Sequence, residues 1–181
     1  MNKIVTFLLL MLLSAMGYGQ KYITKSGSLK FEASASSFEE VKAVNSETSA
    51  VLEILKGDLA VLALIKGFHF KSALMEEHFN ENYLESEKFP RATFVGQIDG
   101  FNISNIASLA KSYKLSGDLT LHGKTKKVST IVNVSMSSDN VLLTGSFEAK
   151  PEDYGIEIPK ILWNKIAEKV IIRYSLTLTK Q

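Results

Sequence analysis

The chain has 181 residues, 45% of them hydrophobic, with a formal net charge of +2 at pH 7 and no cysteine. This length and composition predict one well-cored domain and exclude disorder over the whole chain. The small net charge argues against a nucleic-acid partner, and the lack of cysteine excludes disulfides, thiol catalysis and a lipid-modified N-terminal cysteine.

The first 19 residues have the pattern of a secretory signal peptide. Lys3 supplies a positive charge, residues 4–13 form an apolar run, and mostly small residues follow up to Gly19. The run is shorter than the roughly 20 residues that a helix needs to cross a bilayer. We therefore predict a signal peptide over residues 1–19 and a mature domain over residues 20–181, exported with the periplasm favoured over the outside of the cell.

Alternation of apolar and polar residues at period two predicts eight β-strands in the mature domain. Gly57-Asp58 is the expected hairpin turn before the third strand, which is apolar on both faces. Short turns are also predicted at residues 123–127 and 139–140. The predicted strands span residues 28–34, 48–55, 59–70, 92–98, 115–123, 129–136, 141–149 and 169–180.

A helix is predicted between the third and fourth strands, over residues 74–86. Apolar residues recur there at roughly helical spacing, and Pro90 ends the segment because the residue before a proline disfavours the helical region. One further helical turn is expected at residues 106–110. Short turns without a βαβ rhythm predict an all-β fold, an antiparallel barrel or sandwich whose ends are covered by residues 71–90 and 150–168.

His78 is the one candidate for catalysis, since Glu76, Glu77 and Asn82 lie nearby and a carboxylate could orient it as a general base. No nucleophile motif accompanies it, and a histidine that faces water at a helix end explains the same residues. We therefore predict no catalytic residue and no enzymatic activity. A lipid-acting enzyme is the third alternative for function.

Metal binding is not indicated by the sequence. His69, His78 and His122 are the only histidines, and they show none of the spacings typical of metal ligands. We predict neither a metal nor a cofactor. The lysines within residues 124–127 are interpreted as a solvated hairpin, with transient attraction to anionic lipid headgroups as the alternative.

The interior of a barrel is the remaining candidate site, because eight strands enclose room either for side chains or for one small ligand. Walls of large apolar side chains suit an apolar guest such as a long lipid chain, whereas those same side chains could also fill the core themselves. The candidate interior residues are Phe31, Phe68, Phe70, Phe94, Leu119, Leu121, Val132, Val134, Phe147, Ile172, Tyr174 and Leu176.

Three segments, HFNENYLESEKFPRATFVGQI, LSGDLTLHGKTKKV and FEAKPEDYGIEIP, resemble in their order the YceI-like family of secreted lipid- or polyisoprenoid-binding proteins. The resemblance covers nearly the whole mature chain, and the HFNENY segment is similar to Bacteroidetes-type members. The chain departs from many members at Met75-Glu76-Glu77, where they carry an Arg-Asp pair. Family motifs match at Lys88–Phe94, Leu119–Gly123 and Asp153–Ile156.

The resemblance implies an eight-stranded antiparallel barrel of lipocalin-like shape that binds an isoprenoid chain, such as a polyprenyl quinone. The family's helix-and-loop cover corresponds to residues 74–90, with Leu84 turned inward. Either this segment is a lid that admits a ligand, or it plugs the barrel. The expected mouth and lid residues are His78, Asn80 and Asn82, which face the rim and can bond a polar headgroup, and Phe79 and Tyr83, which turn inward.

Together these expectations define a non-catalytic binding protein for an isoprenoid or another apolar lipid, located in the periplasm or outside the cell. The alternative is a structural or stress-related barrel that fills its own core and binds no ligand. Any contact with a membrane surface would be transient, and the sequence leaves open whether the barrel forms a homodimer.

Overall fold

The structure is a computed structural model that describes residues 21–34, 40–159 and 166–181; the predicted signal peptide lies outside these ranges. Strands dominate the described residues, and one short α-helix, α1 (Ala73–His78), interrupts them. None of the helices in these ranges is long and apolar enough to cross a membrane. The strands are β1 (Lys21–Ser34), β2 (Lys42–Glu53), β3 (Asp58–Leu64), β4 (His69–Phe70), β5 (Arg91–Ile98), β6 (Lys111–Leu121), β7 (Lys124–Ser137), β8 (Asn140–Ala149) and β9 (Ile166–Lys180).

Eight of these strands form a closed antiparallel barrel, which confirms the predicted fold. The order around the barrel is β1-β9-β8-β7-β6-β5-β3-β2, and β2 pairs back with β1 to complete the ring. The short strand β4 lies outside the ring and pairs with the first residues of β2. Closure pairs the edge strands with each other, so that period-two alternation sorts residues between the bore and the outer surface.

Strand β2 begins at Lys42, well before the predicted start at residue 48, because a bulge interrupts its alternation. Asn45 is buried ahead of the bulge and Thr48 behind it, so the buried parity changes from odd to even. The register shifts at the same place, since Asn45 lies opposite Leu29 of β1 whereas Thr48 lies opposite Gly27. A period-two pattern therefore reveals only the part of β2 that follows the bulge.

The prediction of one continuous strand over residues 59–70 is wrong. β3 ends at Leu64, a 3₁₀ turn follows at Ile65–Gly67, and the chain resumes as β4. The side-chain amide of Asn45 donates to the carbonyl oxygen of Leu64 at 3.0 Å, so this carbonyl has a side-chain partner where the strand breaks. Both faces of the segment are apolar, and the pattern consequently carries no signal for the break.

The helical segments differ from the prediction in length and position. The helix expected over residues 74–86 is a short α-helix followed by a single π-helical turn at Phe79–Tyr83, so it ends well before the proline. The helical turn expected at residues 106–110 is absent there, and the loop instead contains a 3₁₀ turn at Ile103–Asn105. That turn begins at Asn102, whose side-chain oxygen accepts a hydrogen bond from a backbone amide at 2.9 Å.

Two hairpin turns lie slightly earlier than predicted. The β6–β7 turn is the pair His122-Gly123, and both residues have positive φ, as a tight two-residue hairpin turn requires. Residues 124–127 therefore belong to β7 rather than to a turn. The β7–β8 turn lies at Ser138-Asp139, not at residues 139–140.

Apolar clusters fill both ends of the barrel. At the end that carries the β2–β3 hairpin, the largest cluster packs under the β5–β6 loop through Phe101 and Ile106. At the opposite end, Leu84 packs with Tyr154 and Ile156 in a second cluster. The chain that covers this second end contains α1, the π-helical turn and a 3₁₀ turn at Pro151–Tyr154. Between the two clusters, the middle of the bore is less completely filled.

Candidate functional site

A cavity of about 80 Å³ lies inside the barrel between the two filled ends. Several inward apolar side chains around it are only half-buried, although they sit inside a closed ring of strands. Their remaining exposed surface faces the bore. The residues that line this cavity are Leu29, Leu59, Val61, Ala63, Ala92, Thr93, Phe94, Leu115, Leu119, Val128, Thr130, Phe147, Ile172, Tyr174 and Leu176.

Two inward glycines give the ring of Phe94 its position along the barrel wall. Gly96 of β5 lies directly opposite Gly117 of β6. A Cβ atom would approach the Phe94 ring to 2.6 Å at Gly96 and to 2.7 Å at Gly117. The ring can therefore lie over both backbones instead of crossing the bore, because neither position carries a side chain.

Tyr174 is accommodated in the same way on the other side of the bore. A Cβ atom at Gly145, its partner on β8, would lie 2.3 Å from the tyrosine hydroxyl oxygen. Tyr174 is only 9% exposed, and its hydroxyl has no hydrogen-bond partner among the described residues. Burial raises the pKa of Tyr174 to about 12, because the phenolate would lose its hydration.

This shift predicts an alkaline loss of stability that depends on one side chain. An unfolded tyrosine ionises near pH 10, and the folded Tyr174 near pH 12. Between these pH values the unfolded chain releases a proton that the folded chain keeps, so stability falls as the pH rises. Relative to Tyr174→Phe, the wild type should lose about 2 kcal/mol of stability between pH 9 and pH 11.5. Urea unfolding of both proteins at pH 9 and pH 11.5 measures the difference, and parallel losses would contradict it.

An aromatic cluster lies beneath the start of the π-helical turn. The ring of Phe79 is 5.6 Å from Phe31, 5.8 Å from Phe68 and 5.0 Å from Phe70, measured between ring centroids. These contacts join the cover to β1, to β4 and to the turn before β4. We call residues 73–86 the lid, since this segment closes one end of the bore over the aromatic cluster.

Hydrogen bonds hold the lid at both of its ends. Near its start, the Glu76 carboxylate accepts from the Phe70 amide at 3.0 Å and lies 3.2 Å from Nδ1 of His69. The hydrogen bond from the Phe70 amide, with smaller help from His69, lowers the pKa of Glu76. Near its end, Glu85 lies 2.7 Å from Nε2 of His122, whose Nδ1 lies 3.1 Å from the carbonyl oxygen of Tyr154. These contacts connect the lid to β4, to the β6–β7 turn and to the 3₁₀ turn after β8.

The predicted interior residues fall into three groups. Phe94, Leu119, Phe147, Ile172, Tyr174 and Leu176 line the cavity. Val132 and Val134 are fully buried in the cluster at the end that carries the β2–β3 hairpin, and they are not among the residues that line the cavity. The remaining four lie towards the covered end: Phe31, Phe68 and Phe70 in the aromatic cluster, and Leu121 against the cluster of Leu84.

The predicted mouth residues are split between solvent and the interior. His78 and Asn82 are exposed, whereas Phe79 and Tyr83 are half-buried. Asn80 donates from its side-chain amide to the carbonyl oxygen of Glu76 at 2.9 Å, and its own Oδ1 is buried without a partner among the described residues. Among the described ranges, no three His, Asp or Glu side chains come close enough together to hold a metal ion.

The sequence patterns did not identify several residues that shape the site. Gly96, Gly117 and Gly145 were not identified, although each occupies an inward position of an alternating strand, where glycine signals a close approach. Glu76 and Glu85, which hold the lid, carried no such signal. Their partners lie on other elements, so spacing along the chain does not reveal them.

The closed barrel, with its apolar bore and helical cover, places the chain in the class of small antiparallel barrels that can enclose a single ligand. The YceI-like domain family matches residues 21–178, so the chain belongs to the YceI-like family. No curated protein sequence gives a significant match.

Solved structures share this fold. A polyisoprenoid binding domain from Saccharophagus degradans, implicated in plant cell wall breakdown, has a TM-score of 0.76 at 15% identity, covering 89% of this chain and 98% of that one. BcnA from Burkholderia cenocepacia has a TM-score of 0.68 at 19% identity, covering 83% and 95%. A YceI protein from Campylobacter jejuni has a TM-score of 0.63 at 14% identity, covering 80% and 86%. At these identities the likeness concerns the fold.

Proposed function

We propose that this protein is an exported, non-catalytic binding protein that holds an isoprenoid or similar apolar lipid chain inside its barrel, with the periplasm as its location. The observation that carries the proposal is the apolar cavity at the centre of the bore, beneath an aromatic lid. Membership of the YceI-like family and the likeness to a polyisoprenoid binding domain support it. Export rests on the signal-peptide pattern of residues 1–19.

The composition of the cavity favours binding over chemistry. Tyr174 is the only titratable side chain among the described residues that line the cavity, and burial raises the pKa of Tyr174 to about 12, which makes it a poor general base near neutral pH. His78, the one catalytic candidate from the sequence, is exposed on the lid. A largely apolar wall, in which no described residue titrates near neutral pH, suits a ligand that is held rather than converted.

The second candidate is a barrel that fills its own core. The cavity of about 80 Å³ favours this alternative, because ligand sites usually enclose about 300–1,000 Å³. Binding a long chain therefore requires the lid or the lining side chains to move. Mass spectrometry of an organic extract from detergent-free protein, purified from its native host, separates the two candidates. A stoichiometric lipid supports binding, and an empty extract from folded protein supports the filled barrel.

A pair of matched variants tests where the lipid binds. Ala92 lines the cavity, whereas Val95 of the same strand is 64% exposed on the outer surface. Ala92→Phe should fill the cavity and abolish the retained lipid, at a cost of about 1–3 kcal/mol in stability from overpacking. Val95→Phe adds a ring outside the bore and should retain lipid like the wild type.

The readout is the ratio of extracted lipid to protein, measured for folded samples of both variants. Circular dichroism and urea unfolding establish that each variant is folded before extraction. Equal lipid content in Ala92→Phe and in the wild type would show that the central cavity is not the binding site. Loss in both variants would point to the outer wall of β5 instead.

A further inference from the structure

An exposed apolar strip crosses the outer wall of the barrel over β2, β3 and β5. Val51, Ala60 and Val95 are direct neighbours in the register of the sheet, and their side chains point away from the bore. Val51 is 38% exposed and Val95 is 64% exposed, with the small side chain of Ala60 between them. A shallow open groove follows this strip. The strip is therefore apolar surface that a partner can cover.

The strip has acidic residues at one end and a basic residue at the other. Asp58 starts β3 at the hairpin end and lies opposite Glu53 of β2. Arg91 starts β5 at the lid end. Asp58 and Arg91 are both exposed, and neither forms an ion pair with a described residue. The neighbour of the strip on β6 is different, since the carboxylate of Asp118 lies 3.3 Å from the ammonium group of Lys127. Two unpaired charges of opposite sign thus flank the apolar strip along the strand direction.

This distribution of charge is complementary to itself. A two-fold axis that lies in the plane of contact and runs across the strands reverses their direction in the second copy. The hairpin end of one copy then faces the lid end of the other, so that Asp58 of each copy lies against the oppositely charged Arg91 of its partner. The two apolar strips meet at the centre. A wall that carries both signs at opposite ends therefore fits a second copy of this chain better than a partner of one sign.

We propose that the outer wall formed by β2, β3 and β5 is the contact surface of an antiparallel homodimer, with the apolar strip at its centre and an Asp58–Arg91 ion pair at each end. The contact does not depend on the proposed lipid binding, because these side chains point away from the bore. The two lids lie at opposite ends of the dimer, and both stay accessible. A short strip and two exposed ion pairs give a weak dimer, with Kd in the micromolar range.

Charge reversal tests this arrangement, and sedimentation equilibrium of the mature protein measures the dimer. Asp58→Arg places arginines face to face at both ends of the contact, and Arg91→Asp places aspartates there. Each variant alone should raise the dimer Kd about tenfold, since the affected ion pair occurs twice. An equimolar mixture of the two variants should dimerise as tightly as the wild type, because one copy then contributes only arginines and the other only aspartates.

The matched control for charge is Glu168→Arg, which alters the net charge as much as Asp58→Arg does, on a strand that does not pair with β2, β3 or β5. This variant should keep the wild-type Kd. The centre of the contact is tested by Val95→Asp, which should weaken the dimer, and by Ile131→Asp on β7, where Ile131 is 54% exposed and the substitution should have no effect.

Three results would each overturn the inference. The first is a wild type that stays monomeric up to about 1 mM, since no useful affinity then exists. The second is a dimer whose Kd changes neither on charge reversal nor in Val95→Asp, because such a dimer uses another face. The third is a mixture of Asp58→Arg and Arg91→Asp that stays as weakly associated as either variant alone, because the two charges then do not meet across the contact.

Discussion

Replacing Asn45 with alanine is expected to lower the free energy of unfolding by about 3 kcal/mol. The Asn45 side chain is fully buried and makes three hydrogen bonds: it donates to the Leu64 carbonyl at 3.0 Å and accepts from the Glu47 amide at 2.9 Å and from the Thr48 hydroxyl at 3.3 Å. Each of these hydrogen bonds contributes about 1 kcal/mol, and the substitution also leaves the buried hydroxyl of Thr48 without its acceptor. Urea unfolding at pH 7 followed by circular dichroism measures the change.

The control is Asn133→Ala on β7. Asn133 accepts a single exposed hydrogen bond from the Ser112 hydroxyl at 2.7 Å, so its loss should change the free energy by less than about 0.5 kcal/mol. Similar small effects for both variants would mean that water replaces the Asn45 contacts, and that the bulge in β2 and the break after β3 do not depend on them. A large effect at Asn45 alone identifies this side chain as the link between the two irregularities.

Asn45 also explains why alternation identified strand β2 of the barrel but not its full extent. Alternation identified each strand of the ring at least in part, because closure buries one face of each strand and leaves the other to solvent. The bulge at residues 45–48 changes the parity of β2, and residues before it consequently gave no recognisable pattern. The break after β3 could not be predicted for a different reason. Both faces of residues 59–70 are apolar, so the sequence shows no alternation there whose interruption would mark the end of the strand.

From the sequence, one can predict which face of each strand points into the barrel, but not the direction that each side chain takes from that face. Alternation predicted inward positions for Phe94, Phe147 and Tyr174, and in the structure these residues line the cavity. It could not predict that rings lie along the wall, because this depends on glycines of neighbouring strands, such as Gly117 beside Phe94 and Gly145 beside Tyr174. Cross-strand neighbours are set by register, and register is a property of the folded sheet.

The lid segment could likewise be predicted from local sequence, whereas its contacts with distant parts of the chain could not. Helical spacing identified the segment, and the resemblance assigned it as a cover. Its attachments could not be read from spacing, because Glu76 bonds to β4 whereas Glu85 bonds to His122 in a hairpin distant along the chain. These two polar attachments flank the aromatic contacts of Phe79. The lid is therefore held at its ends by hydrogen bonds and in its middle by apolar packing.

Replacing Phe79 with alanine should release the lid while leaving the barrel folded. The Phe79 ring packs against three aromatic rings, which belong to β1, to β4 and to the turn before β4, at centroid distances of 5.0–5.8 Å. Truncating a packed phenylalanine costs about 3 kcal/mol or more when the space cannot close. Since the lid contributes no strand to the ring, we expect this loss as local opening rather than global unfolding. Amide hydrogen exchange in residues 73–86 should then accelerate by about 100-fold, the factor that corresponds to about 3 kcal/mol.

Leu74→Ala is the control on the same segment, because Leu74 is 59% exposed and its truncation should leave exchange in the lid nearly unchanged. The strands β5 to β9 should keep their slow exchange in both variants. If Phe79→Ala instead lowers the urea midpoint and accelerates exchange in the barrel and the lid together, the segment is a plug that unfolds with the core. A lid that opens alone provides a route for a guest into the bore, and lipid bound to Phe79→Ala should then dissociate faster than lipid bound to Leu74→Ala.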